Sequence, residues 1–161
     1  RLEDYIDRPN PLFVILETLQ DPGNLGTILR TSEGAGVTAV IMNRTCVDIY
    51  NPKTIRATMG SLLRMPFIYV DDLKETTYHL KSKGISVYAA HLQGKNNYDA
   101  FDYNKGTGFL IGNEGNGLSD EITACASEYL KIPMEGQLES LNAAISVAIL
   151  TYEASRQRRQ V

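Results

Sequence analysis

Apolar and polar positions along the chain alternate between two periods. Short apolar runs at 13–16, 37–42, 66–70, 86–90, 108–112 and 129–133 read as six buried strands. Between them, 25–35, 52–63, 71–83 and 118–126 carry helical spacing. Strands that alternate with helices imply an α/β fold, a mostly parallel six-stranded sheet flanked by helices on both faces. The last helix is the longest. Its residues Leu141, Ile145, Ala148 and Tyr152 recur at helical spacing and are expected to form its buried stripe, with Arg156, Arg158 and Arg159 complementing the dipole at its end. Pro9-Asn10-Pro11 is a stiff, non-helical lead into the first strand. Residues 1–11 are therefore expected to be a linker from a separate substrate-binding domain, ahead of one domain over 12–161.

Composition narrows the options. A chain of 161 residues with 43% hydrophobic and 22% charged residues suits one globular domain. Sixteen Lys and Arg against nineteen Asp and Glu give a net charge of -3, which excludes a uniformly basic coat, so any polyanion must bind locally. Such a place exists between Asn24 and Arg64, where five cations (Arg30, Arg44, Lys53, Arg56, Arg64) face two anions (Glu33, Asp48). Cys46 and Cys125 form no CxxC pair and lack neighbouring histidines, so no metal site or disulfide framework is expected and a reducing, cytoplasmic setting fits. No apolar run approaches the ~20 residues that cross a bilayer.

Three segments could carry chemistry. The first, 21–30, lies where the first strand hands over to the first helix; Leu25, Ile28 and Leu29 share an inward face and leave Thr27, Arg30 and Thr31 on a polar one. Taken singly, Asn24 reads as the cap of that helix. The second, 108–121, is a buried strand running into a turn with glycines at 112, 115 and 117, a spacing that is neither GxGxxG nor a P-loop. Asp120 and Glu121 load the following helix start with negative charge and compete with any phosphate, so a ligand here should lack phosphates. The third, 132–144, offers Ser140 and Asn142; Ser140 alone reads as a helix cap, and no GxSxG elbow makes it a nucleophile.

In this order, at the ends of the first, fifth and sixth strands, the three segments resemble the motifs of the SpoU/TrmH branch of the SPOUT methyltransferases. Asn51-Pro52-Lys53 and Arg56-Ala57-Thr58-Met59-Gly60 are similar to a further family stretch. The resemblance implies an enzyme that moves a methyl group from S-adenosylmethionine to a ribose 2′-hydroxyl of structured RNA, ribosomal or transfer. It also implies a C-terminal deep trefoil knot, an exception to the rule that chains avoid knots, and a homodimer with its site near the subunit interface. By the same resemblance Gly112, Ile132 and Leu141 contact the cofactor, with Asn113, Met134 and Asn142 lining its pocket and Glu114 shaping the rim. Arg30 matches the family's catalytic arginine and Asn24 the asparagine that supports it, while Ser140 and Asn142 match polar partners near the target ribose. Arg30, Arg44, Lys53 and Arg56 are the expected RNA contacts.

Methyl transfer from a sulfonium to an alcohol needs an in-line approach and removal of one proton, but no acid for the leaving group. A guanidinium normally stays protonated, so Arg30 acts either as the base or as an electrostatic clamp on phosphate, and both roles stay open. Two other classes compete: a non-catalytic RNA-binding module of the same fold, and a Rossmann-type nucleotide-binding regulator. The latter needs a phosphate-friendly first turn, which the glycine placement and Asp120-Glu121 fit poorly.

Overall fold

A computed structural model of the chain describes residues 1–91, 93–138 and 140–160. Seven strands, β1 (Leu12–Leu16), β2 (Ala39–Asn43), β3 (Phe67–Val70), β4 (Ser86–Ala90), β5 (Asn96–Asn97), β6 (Thr107–Ile111) and β7 (Glu128–Lys131), form one parallel sheet ordered β3-β2-β1-β6-β4-β7-β5. The helices are α1 (Glu3–Ile6), α2 (Pro22–Ala35), α3 (Pro52–Thr58), α4 (Leu73–Ser82), α5 (Asp120–Thr123) and α6 (Ala143–Arg159).

The central strands are apolar on both sides because both sides are covered. Leu12, Val14 and Leu16 of β1 enter one core with Leu25, Ile28 and Leu29 of α2 and Val147 and Leu150 of α6. Phe13 and Ile15, pointing the other way, enter a second core with Leu73 and Leu80 of α4 and Ile122 of α5. Each such side chain contributes roughly 1.5–3 kcal/mol by leaving water. The two-sided sheet and all six anticipated strands are present.

The sheet has seven strands rather than six. The extra one, β5, is two asparagines paired with β7 at the sheet edge, Asn96 opposite Leu130. Polar edge residues leave no apolar run to read.

Three helices also differ from expectation, the first being 118–126, of which only the short α5, Asp120–Thr123, is α-helical. The segment 52–63 breaks after Thr58, because Met59 (φ 53°) and Gly60 (φ 92°) are both left-handed, and a short 3-10 turn over Ser61–Leu63 follows. On α6 the buried stripe is Ala143, Ala144, Val147, Leu150, Thr151 and Ala154, whereas Ile145 (51% exposed) and Tyr152 (47% exposed) face outward. The helix is apolar on several sides, and contact with α2 and the sheet decides which side is inward.

The end of α6 is fastened to the base of the sheet. Arg158 donates to the carbonyls of Tyr103 (3.0 Å), Asn10 (2.8 Å), Lys105 (2.8 Å) and Pro11 (3.4 Å) instead of only complementing the helix dipole. At the opposite end of the sheet the chain changes direction: β1, β2 and β3 build outward on one side, β4 crosses to the other, and β6 inserts between β1 and β4. Strand ends at such a reversal leave a crevice where α/β ligands bind.

Candidate functional site

An open cleft of about 940 Å³ lies at that reversal, bounded by the C-terminal ends of β4, β6 and β7 and the first turn of α6. Its size falls within the range of small-molecule sites.

One wall is the glycine-rich turn after β6. Asn113 and Gly117 exchange backbone bonds, N–H to O=C, at 3.1 and 2.8 Å, while the Asn113 Oδ1 accepts from the amides of Gly115 (2.8 Å) and Asn116 (3.1 Å). The turn closes so tightly that a Cβ on Gly112 would lie 2.2 Å from backbone atoms of Gly117 and Leu118. Only glycine fits there. The Asn113 Nδ2 donates to the Thr18 carbonyl at 2.8 Å, tying the turn to the segment after β1.

Glu114 strengthens the tie. Its carboxylate accepts from the amides of Gln20 (3.1 Å) and Asp21 (2.7 Å), just ahead of α2. Burial pushes its pKa up, but these amides and the Asn24 side chain favour the charged form and hold it below the usual glutamate value. Asn24 does not cap α2; Asp21 does, accepting from the Asn24 amide at 2.7 Å. The Asn24 Oδ1 instead accepts from the Asn142 Nδ2 at 3.1 Å. Nor does Ser140 cap α6: Asn142 does, its Oδ1 accepting from the amides of Ala144 (2.8 Å) and Ile145 (3.3 Å).

The structure thus joins Asn24, Glu114 and Asn142 by hydrogen bonds beside the cleft, and of the three only Glu114 is among the residues lining it. Gly112, Asn113, Glu114, Ile132, Met134, Ser140 and Leu141 line the cleft. Arg30 does not. It is exposed on α2, six residues past Asn24, which is roughly 9 Å along the axis at 1.5 Å per residue. Lys53 and Arg56 are exposed on α3 and, like Arg30, carry no ion pair among the described residues. Arg44 is paired with Asp71 at 2.9 Å and Arg64 with Glu33, so both are partly neutralised.

Sequence reading missed two sets of residues. His91, Asn97 and Lys131 line the far end of the cleft, brought there by the edge pairing of β5 with β7. Glu17 binds Ser119, and nothing in sequence spacing announces a pair 102 positions apart.

The cleft's chemistry is specific. The 112–118 turn carries no Lys or Arg, and Glu114 and Asp120 line it, so this wall suits an uncharged or cationic group rather than a polyphosphate, with Lys131 as the cation at the far end of the cleft. Half-buried Ile132, Met134 and Leu141 add an apolar surface.

Known proteins share this arrangement. The profile of the SpoU rRNA Methylase family matches residues 11–152. The 23S rRNA (guanosine(2553)-2'-O)-methyltransferase RlmP of Bacillus subtilis is 35% identical over 145 residues, covering 86% of this chain and 56% of that one. The crystal structure of the SpoU methyltransferase AviRb from Streptomyces viridochromogenes superposes with a TM-score of 0.91 at 31% identity, over 99% of this chain and 64% of that one. An AdoMet-bound rRNA methyltransferase from Sinorhizobium meliloti gives 0.88 at 36% identity, over 96% and 59%. The chain therefore spans little more than half the length of such relatives. With a family profile running through nearly all of it and these likenesses in sequence and fold, the chain belongs to the SpoU rRNA methylase family.

Proposed function

We propose that this chain is the catalytic part of an S-adenosylmethionine-dependent methyltransferase that modifies a ribose 2′-hydroxyl in ribosomal or transfer RNA. The observation that carries the reading is the convergence of Asn24, Glu114 and Asn142 beside a cleft whose glycine-rich wall bears carboxylates and no Lys or Arg. The AdoMet-bound Sinorhizobium relative and the 2'-O-methylating Bacillus relative support the same donor and reaction. When bound, the donor would supply an electrophilic methyl group, the sulfur keeping the electron pair of the bond that breaks, while the ribose 2′-oxygen that takes the methyl would give up its proton to a base or to water. Backbone at Gly112, Ile132 and Leu141 would hold the donor, Asn113 and Met134 would line its pocket, and Ser140, with Asn142 beside the cleft, would meet the ribose. The family's knot fits a chain whose last helix returns to α2 after passing the cleft.

A single chain leaves Arg30 outside its own cleft, and the helices packed against α2 carry exposed apolar residues: Ile145 and Tyr152 on α6, Ile55 on α3 and Met59 just after it. A homodimer that covers this face brings the partner's Arg30 to the site, where it serves the 2′-oxygen or clamps the neighbouring phosphate. Lys53 and Arg56, unpaired like Arg30 among the described residues, hold the RNA backbone together with Arg44. No described helix is long and apolar enough to cross a membrane; a cytoplasmic location, with access to RNA, fits the reading, as does a substrate-selecting domain ahead of residues 1–11.

The test is calorimetry with S-adenosylmethionine followed by transfer of labelled methyl to ribosomal and transfer RNA. Binding and ribose-linked label are expected. Absence of donor binding in several buffers overturns the reading. Arg30→Ala should abolish transfer and leave donor affinity within about twofold, since Arg30 lies off the cleft; matching losses in both would remove Arg30 from the role assigned to it.

A further inference from the structure

Glu17 follows β1 and does not line the cleft. Its carboxylate accepts from the amide of Ser119 at 2.7 Å and from the Ser119 hydroxyl at 2.6 Å, while its own amide donates to the Ile111 carbonyl at 2.9 Å. Ser119 closes the glycine-rich turn and caps α5, its Oγ accepting from the Ile122 amide at 3.2 Å. Its two neighbours in sequence, Leu118 and Asp120, both line the cleft.

The turn 112–118 is thereby fastened at both ends to one short stretch of chain. Asn113 holds the Thr18 carbonyl at its start, Glu114 holds the amides of Gln20 and Asp21, and Ser119 is held by Glu17 at its end. Thr18 supports the same view. It is β-branched and left-handed at φ 52°, a conformation that costs energy and persists only where the surroundings enforce it. Here the Asn43 side chain accepts from its amide at 2.8 Å and donates to its hydroxyl at 3.1 Å. The strained residue directs its carbonyl to Asn113.

A turn with three glycines in seven residues loses much conformational freedom when it orders, and without other restraint a ligand must supply that ordering itself. We infer that Glu17 is a positioning residue for the methyl donor: by gripping Ser119 it keeps the 112–118 turn in its binding shape and sets donor affinity without touching the reacting atoms. The inference rests on the function proposed above.

Donor Kd by calorimetry and steady-state kinetics on the full chain test it. Glu17→Ala should raise Kd and the donor KM together by about 10-fold, the scale of a lost charge-assisted hydrogen bond, with kcat at saturating donor within about twofold of the unaltered protein. Glu17→Gln should stay within about threefold, since its amide still accepts from the Ser119 N–H and donates to the hydroxyl. Adding Ser119→Ala to Glu17→Ala should cost little more. If Glu17→Ala does not fold, Ser119→Ala alone replaces it, with an expected rise of about threefold. Unchanged Kd in the folded variant, or a fall in kcat at unchanged KM, overturns the inference while leaving the proposed function standing. If the unaltered chain fails to bind donor, the function itself falls.

Discussion

Glu114 shows how one carboxylate can serve shape and titration together. Its charge is favoured by the Gln20 and Asp21 amides and the Asn24 side chain, against the opposing effect of burial, so its pKa is lower folded than unfolded. The stability it adds is complete above the ordinary glutamate value of 4.5 and disappears as pH falls through the lower folded value. Glu114→Gln should therefore flatten the acid side of the stability profile and cost only about 0.5–1 kcal/mol at pH 7, because the group is exposed to solvent. Urea titrations from pH 3 to 7 measure both, and an unchanged acid limb contradicts the assignment. Cys46 behaves differently. Burial raises its thiol pKa, although the Leu19 amide donates to the sulfur at 3.3 Å, and this keeps the side chain neutral inside the core.

The approach of α2 to α3 depends on Gly26. A Cβ there would lie 2.4 Å from the Ala57 Cβ and 2.6 Å from the Thr54 carbonyl oxygen, so Gly26→Ala must drive the helices apart, at a cost of about 1–3 kcal/mol in denaturant unfolding. Because α2 carries Asn24, donor binding should weaken alongside. The inward face of α2 was readable from sequence, since Leu25, Ile28 and Leu29 form a single apolar side next to polar Thr27 and Arg30. That of α6 was not: Ile145 and Tyr152 carry large apolar surfaces as Val147 and Leu150 do, and the packing of α2 and the sheet selects between them. Asn142 was visible as a polar residue ahead of a helix, but its double engagement, with two α6 amides and with Asn24, is a product of packing. Likewise the helical spacing over 52–63 runs straight through the break that left-handed Met59 and Gly60 impose. Periodicity encodes which face of an element is buried; it does not encode which distant element arrives there.

Taken whole, the molecule places its cleft and Arg30, which has no ion pair among the described residues, in different positions on one chain. If two copies complete each other, mixing inactive Arg30→Ala chains with inactive Gly112→Ala chains should restore methyl transfer, because one site of the mixed dimer holds an intact cleft and an intact arginine. Unmixed preparations should remain silent, and silence in the mixture would assign Arg30 to its own chain. The Arg158 bolt at the sheet's base has a separate consequence. It joins a guanidinium to four neutral carbonyls in a half-sheltered place, where burial lowers the arginine pKa. Added electrolyte shields exposed charges facing a phosphate backbone far more than a sheltered charge facing dipoles. Raising ionic strength should thus strip nucleic acid from Arg30, Lys53 and Arg56 long before it loosens the scaffold, and a high-salt wash would yield folded protein free of it.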